Sequence, residues 1–124
     1  MQYYLSLPNN WLPAKKWPVM IVIEQAEKQF KKDAEQFIAA RKYLPFIIVE
    51  PFITTNGGQG HRDTSIYPYS KAVWDEIDKV SICKFDMDGL QGIIKDVKKN
   101  YAGTDKIFIT GFEAGTHLVW AIIF

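Results

Sequence analysis

Lys106-Ile-Phe-Ile-Thr-Gly-Phe-Glu-Ala-Gly-Thr-His-Leu118 is the stretch on which the fold turns. Lys106 to Thr110 (KIFIT) is a short apolar, β-branched run, the pattern of a strand covered on both faces. Gly111 to Gly115 then predicts a tight turn, and Ala114 to Phe124 a helix. Outward from this stretch, the same strand signal recurs at Pro18 to Glu24 (PVMIVIE) and at Phe46 to Glu50 (FIIVE), the latter stopped by Pro51. Gln2 to Leu7 reads as a short first strand ended by Pro8-Asn9-Asn10. Ala26 to Lys42 reads as a helix with Ala26, Phe30, Ala34, Phe37, Ile38 and the Arg41 stem on one side. A long loop from Phe52 to Ser70 follows the second buried strand, then a short helix within Ser70 to Val80 capped by Ser70. Asp86 or Asp88 is expected to cap a further helix running to Tyr101, with Leu90, Ile93, Ile94, Val97 and Tyr101 as its apolar stripe and Gly103 at its stop.

Strands alternating with helices predict an α/β fold: a mostly parallel sheet with helices on both faces. FIIVE is expected on one side of a central PVMIVIE, with KIFIT on the other. The chain then reverses direction between PVMIVIE and KIFIT, and open α/β sheets bind ligands at such a switch point.

Composition sets the outer bounds. The 124 residues suit a single domain over 1–124, and 48% hydrophobic with 23% charged is the balance of a globular chain. Aromatic residues at 15% exclude intrinsic disorder, and a lone Cys83 excludes a disulfide scaffold. A net charge of +1 argues against nucleic-acid binding by bulk charge. No apolar run approaches the roughly 18 residues of a membrane span. Met1 to Pro13 lacks the basic start and apolar stretch of a signal peptide, which predicts a cytoplasmic chain. The last helix is anomalous, because Leu118 to Phe124 is apolar all round and expects cover on every side. The expectation is an incomplete domain, covered either by further C-terminal chain or by a second copy.

KIFIT running into Gly111-Phe-Glu-Ala-Gly115 and then a helix resembles the nucleophile elbow of the α/β-hydrolase fold, G-x-S-x-G, with Glu113 where the serine belongs. Thr116-His117-Leu118 resembles the Gly-His-Leu that follows the elbow in esterases of this group. Tyr4 to Pro8 with Trp17 to Ile23 is similar to the opening of dienelactone-hydrolase-like and polyhydroxybutyrate-depolymerase-like esterases. Phe46 to Pro51 resembles their next strand, Phe85 to Leu90 their Asp-led helix, and Tyr101 to Gly111 the approach to the elbow. The resemblance covers nearly the whole chain, as the N-terminal half of that fold, a truncated α/β-hydrolase.

The resemblance implies oxyanion-hole positions at the backbone N–H groups of Ala114 and Ala26, with Glu24, Gln25, Phe112 and His117 lining the cleft. It also exposes departures. Glu113 replaces the serine, and Glu24-Gln25 replaces the His-Gly that ends the corresponding strand in the family. The family's acid and histidine follow later strands, and neither His61 nor His117 stands where that histidine would be. A donor pair without an attacking oxygen and its base makes no hydrolase. The chain therefore reads as an esterase-like fragment or altered homologue, inactive as a serine hydrolase, whose active relatives take a small ester-like substrate. Two alternatives stand beside it: a carboxylate-dependent hydrolase using Glu113, and a non-catalytic binding or assembly module.

Three acids sit at predicted strand ends: Glu24, Glu50 and Glu113. Adjacent parallel strands lie about 4.8 Å apart, so Glu24 and Glu113 are candidates to flank the switch point as an acid/base pair or a divalent-ion site. The plainer expectation is that Glu24 and Glu50 cap strand ends and turn to water or to basic side chains. Gly57 to Asp63, with His61, lacks both nucleotide-binding glycine patterns and reads as a surface loop. Cys83 reads as a packing thiol, and Trp11, Trp17, Trp74 and Trp120 as core. Lys95, Lys98 and Lys99 read as a solvated helix face. No cofactor motif and no metal-ligand spacing is present.

Overall fold

The computed structural model describes residues 1–24, 26–54 and 64–123. Strands β1 (Tyr3–Ser6), β2 (Trp17–Ile23), β3 (Ile47–Pro51) and β4 (Gly103–Gly111) form one mixed sheet in the order β1-β3-β2-β4. β2 pairs in parallel with both β3 and β4, so FIIVE, PVMIVIE and KIFIT take the expected order. β1 pairs antiparallel with β3, Tyr4 lying opposite Glu50. That placement was beyond periodicity, because a four-residue strand carries no record of its partner.

Helices α1 (Phe30–Arg41), α2 (Lys71–Val80), α3 (Ile82–Asn100) and α4 (Thr116–Ile123) complete the α/β fold. Val19, Ile21 and Ile23 of β2 meet Leu90, Ile93 and Val97 of α3 and Leu118 of α4 in the main core. Burying each such side chain contributes about 1.5–3 kcal/mol before entropy is counted. A second cluster joins Phe30, Tyr67, Trp74 and Ile77, with the Tyr67 and Trp74 rings edge to face at 6.0 Å. No helix among the described residues is long and apolar enough to cross a membrane.

Several boundaries differ from the sequence reading, each for a local reason. α1 begins at Phe30 rather than Ala26, because the preceding turn folds back on Glu24, whose Oε1 accepts the Gln29 N–H at 2.8 Å. α3 begins at Ile82, and Ser81 rather than Asp86 or Asp88 is its cap, its Oγ accepting the Lys84 N–H at 3.3 Å. Asp88 instead pairs with Lys84 on the surface, at 2.7 Å. Asp86 is fully buried, and its carboxylate accepts the Thr54 N–H at 2.8 Å and the Thr54 hydroxyl at 3.0 Å. Gly103 opens β4 and is not the stop of α3; Ala102 takes the left-handed conformation there, at φ 60°. Ser70 caps α2 as expected, accepting the Val73 N–H at 3.4 Å.

Of the four tryptophans, Trp17 and Trp74 are buried and Trp11 half-buried, whereas Trp120 is 61% exposed. Cys83 is half-buried against the main core. The Gly57 to Asp63 loop, with His61, lies outside the described residues, as do Gln25 and Phe124.

Candidate functional site at the strand-to-helix turn

β4 runs out through Gly111, and Phe112 continues it in extended backbone (φ −136°, ψ 153°). Glu113 then turns the chain with φ 49°, in the left-handed region that side chains other than glycine rarely adopt. Glu113–Gly115 form one 3-10 turn, closed by the Gly115 N–H on the Phe112 carbonyl at 3.0 Å. The Thr116 hydroxyl donates to the Glu113 carbonyl at 2.6 Å, and α4 follows directly.

The two glycines are demanded by space. A Cβ on Gly115 would stand 2.6 Å from the carbonyl oxygens of both Ile23 and Glu24. A Cβ on Gly111 would stand 2.7 Å from Val119 Cγ2. The turn is thus seated on the C-terminal end of β2, where the chain reverses direction between β2 and β4. Glu113 itself is exposed, next to the start of α4. Ala114 and Phe112 are half-buried, His117 is exposed on α4, and Ala26 is exposed in the turn before α1.

Glu24 and Glu50 do not turn to water. Both are fully buried, and the acid that joins them is Asp33 of α1. Burial pushes the Glu24 carboxyl up to about 7, against the opposing pull of the Gln29 and Lys28 N–H groups. Burial pushes Glu50 further, up to about 9, with the charges of Asp33 and Glu24 adding to it. Asp33 is raised in the same direction, again chiefly by burial. Among the described residues, neither carboxyl oxygen of Glu50 has a hydrogen-bond partner, and Asp33 Oδ2 has none. Among the described residues, no set of three or more His, Cys, Asp or Glu side chains is arranged to hold a metal ion. Sequence reasoning did not single out Asp33. Its spacing, three after Phe30 and four before Phe37, places it on the apolar stripe, and that was the available signal.

The strand ends therefore carry two different arrangements. One is the exposed Glu113 on a strained turn. The other is a buried group of three acids on the α1 side of β2 and β3. Neither a protein-family model nor a curated protein matches this chain.

Proposed function

We propose that this chain is an altered esterase-like α/β-hydrolase scaffold, silent as a serine hydrolase. The observation that carries the reading is the backbone of Glu113, held at φ 49° at the apex of a strand-to-helix turn. Such a conformation costs on the order of 1–3 kcal/mol and clusters at functional sites. In the G-x-S-x-G elbow the apex residue is the nucleophile, presented by the same kind of strained turn. The close seat of Gly115 on β2 supports the same reading. On this view the sheet is the mostly parallel, helix-flanked core of that fold, and its active relatives cleave small ester-like substrates. Ala114 and Ala26 would supply the oxyanion donors, and Glu24, Gln25, Phe112 and His117 the cleft lining. Glu113 offers no hydroxyl, and restoring one supplies neither the base nor the acid that a triad requires.

The test is turnover of p-nitrophenyl esters by Glu113→Ser against a Glu113→Ala control. Both are expected at the buffer rate. Turnover by the serine variant above the control would defeat the proposal. Wild-type turnover that disappears in Glu113→Gln would favour a carboxylate nucleophile instead.

A second reading, an assembly module on the same scaffold, has its own observation. β4 is one of the two edge strands of the described sheet, and Phe108 on it is 61% exposed. Phe108 lines an open apolar recess with Pro18, Met20, Leu44, Pro45 and Phe46. Trp120 and Ile123 on α4 are 61% and 65% exposed. Unpaired strand edges flanked by apolar surface seek partners. Light scattering is expected to find self-association, and a monodisperse monomer that binds no apolar dye would count against this reading.

A further inference from the structure

α1 is anchored to the sheet at its two ends by opposite chemistry. At the C-terminal end, Arg41 donates hydrogen bonds to carbonyls that enter and leave the strands. Toward the N-terminal end, the charge of Asp33 acts on Glu50 of β3 and on Glu24 just past the end of β2. The charges acting on Glu50 are thus both acids, Asp33 of α1 and Glu24 just past β2, while β1 places Tyr4 opposite it. Lys32 and Glu27 act on Asp33 from exposed positions, and Glu27 also acts on Glu24. Arg41 is committed to Ser6, Leu7 and Phe46.

The Glu50 carboxyl, fully buried and with both oxygens unpartnered among the described residues, is tolerable while neutral. The same group ionised would be a buried charge with no donor among the described residues and with the charges of Asp33 and Glu24 acting on it, which a fold does not sustain. We propose that Glu50 is a proton latch: its neutral carboxyl closes the seam between α1 and the sheet, and loss of the proton releases α1.

The direction of the switch follows from the sign of the shift. Glu50 ionises at about 9 in the fold against an ordinary 4.5, so the fold binds its proton more tightly than the unfolded chain does. Its stabilising contribution is complete below the ordinary carboxylate range and is lost as pH rises toward about 9. Glu24, raised to about 7, acts in the same direction and completes its loss earlier. Release of α1 frees the turn that follows Glu24, and the carbonyl of Glu24 is part of the seat of Gly115. The latch therefore reaches the strained turn at Glu113.

The test compares wild type with Glu50→Gln, which keeps the shape of the neutral group, by denaturant unfolding across pH and by amide protection factors in α1. Across the window between the two ionisations, one retained proton lowers the wild-type folding equilibrium constant about tenfold per pH unit. Glu50→Gln is expected to remove that slope, leaving the smaller Glu24 contribution below neutrality. In wild type, α1 protection is expected to fall before that of β2. An alkaline slope unchanged in Glu50→Gln, or α1 and β2 losing protection together, would overturn the proposal. Should the variant fail to fold, infrared spectroscopy of wild type at about pH 8 decides, since ordinary carboxyls are fully ionised there. A protonated-carboxyl band that persists in Asp33→Asn and Glu24→Gln supports the latch, and its absence rejects it.

Discussion

Gly115→Ala is expected to destabilise the fold by about 3 kcal/mol, the upper end of the usual cost of overpacking. The added Cβ would stand 2.6 Å from two carbonyl oxygens, those of Ile23 and Glu24. Neither is the tip of a flexible side chain. Ile23 is the last residue of β2 and Glu24 follows it directly, and β2 is held between β3 and β4. Moving them breaks sheet register, and moving Gly115 drags α4 and its buried Leu118 out of the main core. The measurement is the midpoint of guanidinium unfolding, with the slope held as a check on the same two-state transition. An unchanged midpoint would mean that the turn does not rest on β2.

Arg41→Met is the second large effect. The Arg41 guanidinium is buried, and it donates to the carbonyls of Ser6, Phe46 and Leu7 at 2.9, 3.1 and 3.0 Å and to the Ser6 hydroxyl at 3.0 Å. Those acceptors lie at the end of β1 and just before β3, so one side chain ties α1 to both strands. Burial lowers the pKa of the guanidinium from its usual value, yet the group stays protonated. Methionine keeps the stem and leaves the carbonyls without a donor, at a cost of about 1–3 kcal/mol for each that water fails to reach. A loss of about 4 kcal/mol is expected, with β1 amides losing exchange protection first. Arg41→Lys is expected to recover little, because an ammonium lacks the planar fork that reaches several acceptors at once. Full recovery by lysine would show that charge alone matters at this position.

These two positions differ in how far they were legible. The turn around Gly115 was readable, because a strand signal, two glycines and a helix signal follow one another within a dozen residues. The need for glycine there is local geometry, and local geometry leaves a local pattern. Arg41 was legible only as a stem on an apolar face. Its acceptors at and just past the end of β1, Ser6 and Leu7, lie 35 and 34 residues away, and nothing near Arg41 in the chain announces them. Asp86 shows the same limit more sharply. Its position suited a helix cap, yet its partner is Thr54, 32 residues earlier, and the helix it was expected to start begins at Ile82. A carboxylate suits a cap and a buried acceptor equally well, and only the neighbours decide which it becomes.

By itself the sequence determined the α/β alternation, the order of the three parallel strands, the apolar stripe of α3, the cap at Ser70 and the sharp turn carrying Glu113. Each is a matter of period, chirality or turn chemistry, all of which act over a few residues. Tertiary structure alone decided that β1 joins β3 antiparallel and that Trp120 stays exposed. It also decided that Glu24, Asp33 and Glu50 are buried together. The reason is physical: burial and the protonation of an acid depend on which distant segments come to lie beside it, and periodicity carries no record of those.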